Sequence, residues 1–82
     1  MASKRLRRGD GIYRAYVTTM DVKDWCWTGD PNVAILEAVR MARAEVAAGR
    51  PDSIIHCDRR EFPTIITLKA SVWVAQAEAM GL

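Results

Sequence analysis

The stretch Asp30–Pro51, DPNVAILEAVRMARAEVAAGRP, carries a helix start, a helix body and a helix stop in one segment. Asp30 offers a carboxylate oxygen to an amide of the first turn, and Pro31 sets φ where no intrahelical N–H bond is required. Ile35, Ala38, Val39, Ala42 and Val46 fall within one stripe, with Glu37, Arg40 and Ala44 on the opposite side. Gly49 suits the left-handed position after the last turn and Pro51 blocks continuation, so the helix ends about 18 residues after it starts. Its many alanines let it lie close against a sheet.

Upstream, GIYRAYVTT (Gly11–Thr19) alternates Tyr13, Ala15 and Val17 with Ile12, Arg14 and Tyr16, the pattern of a strand with one cleaner apolar face. MDVKD has turn-like density of short charged residues, and WCWT (Trp25–Thr28) resumes strand formers, so residues 11–28 predict a β-hairpin. Downstream, SIIHC and TIITLK predict two more strands, joined through DRREFP, where Pro63 marks a turn or an edge. In the closing KASVWVAQAEAMGL, alanine, glutamine and glutamate favour a helix from near Ser71, with SVWV as a possible strand extension.

The fold class expected is α+β: a small antiparallel sheet of about four strands, in the order β-β-α-β-β, packed on one long α-helix, with a short C-terminal helix. Tyr13, Ala15, Val17, Ile55, Cys57, Ile66 and Leu68 would meet the helix stripe. The other face would carry Ile12, Tyr16, Ile54 and Ile65, apolar enough to need cover from Val72, Trp73 and Met80 of the C-terminal segment, or from another chain.

Length and charge set further bounds. Eighty-two residues make one domain, read as a basic, flexible N-terminal tail over 1–10 and a single α+β domain over 11–82. The tail sets Lys4, Arg5, Arg7 and Arg8 against Asp10, a local +3, while the rest holds eight bases against nine acids. Only the tail therefore offers sequence-independent attraction to phosphate. No apolar run approaches the roughly 18 residues that span a bilayer, and no apolar signal core follows the basic start, which points to the cytoplasm and to no membrane partner. Cys26 and Cys57 lack CxxC spacing and read as reduced, mostly buried thiols.

His56, Cys57 and Asp58 are adjacent, but on a strand His56 and Cys57 point to opposite faces, which separates a base from its thiol. One histidine and two distant cysteines fall short of a metal site. Asp21, Asp24, Asp58 and Glu61 lie in turn-rich segments and read as solvated turn residues. No catalytic residue, metal or cofactor is expected. The candidates that remain are contact residues: Arg59 and Arg60 at a hairpin tip, Arg14 beside Tyr16, and Trp25 and Trp27, which share one face of an extended segment and are either core or a partner surface.

From Tyr16 to Arg43 the chain resembles HicB-type antitoxins, in which a strand leads through an acidic turn to a Gly-Asp that opens a helix. The residues concerned are Tyr16, Asp21, Cys26, Gly29 and Asp30, followed by VAILEAVRMARAEV. That resemblance implies a small sheet and helix that bind and neutralise a toxin. In size and element order the chain also resembles small phage-encoded anti-CRISPR proteins, which implies steric occupation of an effector complex. The expected partner is thus a protein or ribonucleoprotein complex in the host cytoplasm. A weak nucleic-acid contact through the tail and a homodimer are secondary expectations.

Overall fold

In a computed structural model the chain runs β1 (Tyr13–Val17), a single 3-10 turn (Val22–Asp24), β2 (Cys26–Thr28), α1 (Pro31–Ala47), β3 (Ile54–Arg59), β4 (Phe62–Lys69) and α2 (Ala70–Ala79). The structure describes residues 12–60 and 62–82, with 62–65 described by backbone alone. The four strands make one antiparallel sheet in the order β2-β1-β3-β4. The class is therefore α+β, with a four-stranded antiparallel sheet and two helices.

α1 starts and stops through local chemistry. Asp30 Oδ1 accepts the Asn32 amide at 2.9 Å, and Pro31 occupies the first turn. At the other end Gly49 adopts φ 83°, and two amides turn back to the last carbonyls: Gly49 to Val46 at 3.0 Å and Arg50 to Glu45 at 2.8 Å. Between these caps Ala34, Ala38, Val39, Met41 and Ala42 are buried and Ile35 is partly so. The expected stripe is thus corrected at Val46, which is 37% exposed in the last turn, where the chain already turns back towards β3.

α2 follows β4 without a loop, and its first amides use carbonyls of the α1–β3 connection: Ala70 donates to Ser53 O at 2.7 Å and Ser71 to Pro51 O at 3.0 Å. These bonds swing α2 to the side already held by α1. Ala70, Trp73 and Ala77 join the same core as Ala15, Ile55, Ala38 and Ala42, and Trp73 Nε1 donates to Ile55 O at 2.9 Å. Both helices therefore share one face of the sheet. Cover of the opposite face by Val72, Trp73 and Met80 does not occur: Trp73 is core, and Val72 and Met80 are exposed.

Strand alternation sorts the rest. Ala15, Val17, Ile55 and Cys57 are buried under the helices, with Tyr13, Ile66 and Leu68 packed partly against them. Ala15 pairs with Cys26 on one side and Cys57 on the other, and no disulfide joins the two. Among the described residues no helix is long and apolar enough to cross a membrane.

Candidate functional site

The sheet face away from the helices is built from the alternate residues of the same strands. Register places Tyr16 beside His56 and His56 beside Thr67, and it places Arg14 between Trp27 and Asp58. Trp25, one residue ahead of β2, joins the first row. Two cross-strand rows result, one mainly of rings and one with a central ion pair.

In the first row the Tyr16 ring lies between two others. Trp25 stacks on it with centroids 3.8 Å apart and planes at 10°, and His56 stacks on its other side at 4.7 Å and 16°. Trp27 extends the cluster, 5.9 Å from Trp25. Rings so close and parallel turn their faces to one another. Trp25 Nε1 is used internally, donating to Met20 O at 3.3 Å across the β1–β2 connection.

The second row is electrostatic. Asp58 accepts from Arg14 Nε at 2.6 Å and from the Tyr16 hydroxyl at 3.0 Å. The Arg14 and Asp58 side chains are only 20% and 6% exposed, so each needs the other as a counter-charge. Burial, and then the bond to Asp58, raises the Tyr16 hydroxyl above its ordinary pKa. The Arg14 guanidinium sits 5.6 Å from the ring centres of both Trp25 and Trp27, and that of Arg60 lies 5.8 Å from Trp27. Trp27 is 6% exposed, and its Nε1 is buried with no acceptor among the described residues.

His56 closes the row towards β4. Thr18 Oγ1 lies 2.5 Å from its Nε2 and Thr67 Oγ1 lies 3.3 Å from its Nδ1. Its neighbour Cys57 points into the helix-side core, where burial, with smaller contributions from Asp58 and Cys26, pushes the thiol up to about 11. His56 and Cys57 thus lie on opposite faces of one strand. Among the described residues no three His, Cys, Asp or Glu side chains group as metal ligands.

Of the contact residues expected from sequence, Arg14, Tyr16, Trp25, Trp27 and Arg60 come together on this face. Arg59 does not: register pairs it with Tyr13, and its guanidinium lies 5.8 Å from that ring, on the helix side. Strand β3 runs on through Arg59, so only Arg60 belongs to the turn. Asp58 is likewise corrected, from solvated turn residue to buried anchor. Lys4, Arg5, Arg7, Arg8 and Glu61 lie outside the described residues. Neither Trp25 nor Trp27 packs under α1, and together they head a second cluster on the far side of the sheet. His56, Thr18 and Thr67 were missed as members of the site. Their signal is the two-residue spacing of His56 and Asp58 on β3, set opposite Tyr16 and Arg14 with the same spacing on β1.

Set against known protein families, curated proteins and solved structures, the chain shows no match. What the face does must therefore be argued from its own residues.

Proposed function

We propose that the chain is a non-catalytic binding module that acts by occupying a macromolecular partner, with the helix-free sheet face as its contact surface. The observation that carries this reading is the cluster of Trp25, Tyr16, Trp27 and Arg14 on that face, rich in the aromatic and arginine side chains that dominate binding hot spots. Such side chains form a rigid surface when they hold one another in place, and the Arg14–Asp58–Tyr16 bonds do so. In its most concrete form the module is a phage anti-defence protein of the anti-CRISPR kind, covering part of an effector ribonucleoprotein in the host cytoplasm. The small α+β architecture agrees with that form.

The test is affinity capture from host cells with the wild-type chain and with Trp25→Ala, after thermal melting has shown that the variant folds. A stoichiometric partner held by the wild type and lost by the variant is the expected result. A partner retained equally by both, or none at all, removes the reading.

A further inference from the structure

The sheet has two unlike edges. β2 closes one with three residues, whereas β4 forms the other with eight, Phe62–Lys69, and outruns its neighbour β3. Alternation decides which backbone groups this longer edge offers. Thr18 N–H donates to Ile54 O, so Ile54 turns its backbone groups to β1, and Ile55 and Cys57 turn theirs to β4. Their register partners Leu68 and Ile66 therefore bond to β3, while Ile65, Thr67 and Lys69 point out of the sheet. Ala70 continues the alternation, its amide returning to Ser53 O at 2.7 Å. Among the described residues the Thr67 and Lys69 amides have no backbone partner. Pro63, without an N–H, bounds this open stretch on one side and the start of α2 bounds it on the other, and residues 64–68 hold no charge that would keep a second strand away.

We propose that a second copy of this chain pairs with it along β4, antiparallel about a two-fold axis at Ile66 or Thr67, so that the sheet runs on from one copy into the other. The inference goes beyond the contact face and uses the edge of the sheet opposite Trp25 and Trp27. In either register the outward amides find carbonyls of the other copy: Thr67 meets Thr67 or Ile65, and Lys69 meets Ile65 or Pro63, each bond occurring twice by symmetry. Ile66 and Leu68, only partly buried against the helix-side core, gain cross-strand neighbours from the other copy. The occupant this edge calls for is an extended, uncharged strand with free backbone groups, and β4 itself meets that description. Antiparallel pairing is the sense of every pair in the sheet, and a two-fold axis sets α2, which packs over β4 and β3, beside its own copy. α2 is apolar nearly all round with Val72 exposed, as suits a helix with a further neighbour. A strand edge with one helix flank covers less than the roughly 1,600 Å² of a standard interface, so the pair should dissociate in the range of about 10–100 µM.

Sedimentation equilibrium and amide hydrogen exchange on the full-length chain supply the test. The mass should rise from one chain towards two between about 5 µM and about 500 µM. Over the same range exchange at Thr67 and Lys69 should slow, while Ile66 and Leu68, already bonded to β3, should change little. Lys69→Pro isolates the edge: Lys69 has φ −64°, the value proline imposes, and its amide points out of the sheet, so the single chain keeps its fold while the edge loses a donor and gains a ring. It should weaken the pair at least about 10-fold, and Lys69→Ala, which keeps the amide, should not. If Lys69→Pro does not fold, the wild-type exchange pattern decides alone. The proposal is overturned by the mass of one chain throughout, whether or not a strand of another protein takes the edge, by a dimer indifferent to Lys69→Pro, or by slowed exchange confined to β1 and β2. Because Trp25 lies at the other edge, failure here leaves the contact face to its own test with Trp25→Ala.

Discussion

Asp58 shows how much one residue on the open face holds. It receives a guanidinium N–H from Arg14 and the hydroxyl of Tyr16, and both partners come from β1, more than forty positions earlier. Asp58→Ala should destabilise the domain by about 2 kcal/mol, measured as the urea unfolding free energy, because the half-buried Arg14 then loses its counter-charge. Asp58→Asn should recover only the part that does not need charge. In sequence, DRRE reads as an exposed charged turn, since nothing local says that a cation from a distant strand lies alongside. Cys57, by contrast, was legible as a buried residue from alternation alone. With its thiol pushed up to about 11 and shielded by the helices, it should react with a disulfide reagent at pH 8 far more slowly in the folded chain than in urea.

At the scale of elements, α1 was readable at both ends because its signals are local. Asp30, Pro31 and Gly49 act within a few residues of themselves, and Gly49→Ala should cost about 1 kcal/mol in a denaturation experiment, for a side chain at φ 83° is strained even where space is open. The turn beyond α1 holds a clamp that the sequence did not announce. Glu45 accepts from Arg50 Nε at 2.8 Å and from Ser53 Oγ at 2.7 Å, tying the last turns of α1 to the start of β3. Those bonds, Arg50 first and Ser53 next, lower the Glu45 carboxyl from 4.5 to about 2. A depressed folded-state pKa means that the clamp's stability is fully present above pH 4.5 and is lost as pH falls towards 2. Glu45→Gln should therefore be less stable than wild type at pH 7 and converge with it at the acid end of a pH series of thermal melts. The side taken by α2 was not legible. Its sequence is apolar nearly all round, so periodicity selects no face, and the decision falls to the Ser53 and Pro51 carbonyls that receive its first amides.

For the molecule as a whole, one sheet separates two clusters of different kinds. The helix side is a close-packed core of mainly small and medium apolar residues closed by Trp73, whereas the open side is a stack of rings around an ion pair. Global stability should thus reside on the helix side and the contact surface on the other. Val39, 3% exposed within the core, is the sharper probe of the first: Val39→Asp places a carboxylate where no partner waits and should abolish the cooperative thermal transition. Tyr16→Ala probes the second. It removes the central ring of the row and should lower stability by roughly 1–2 kcal/mol, from lost stacking and partial burial, while leaving one cooperative transition. Its near-ultraviolet dichroism should drop sharply, because Trp25 loses the neighbour that fixes it, while far-ultraviolet helix content stays constant. If Tyr16→Ala instead unfolded the chain as completely as Val39→Asp, the open-face cluster would be a second core, and its aromatic and arginine side chains would no longer argue for a partner.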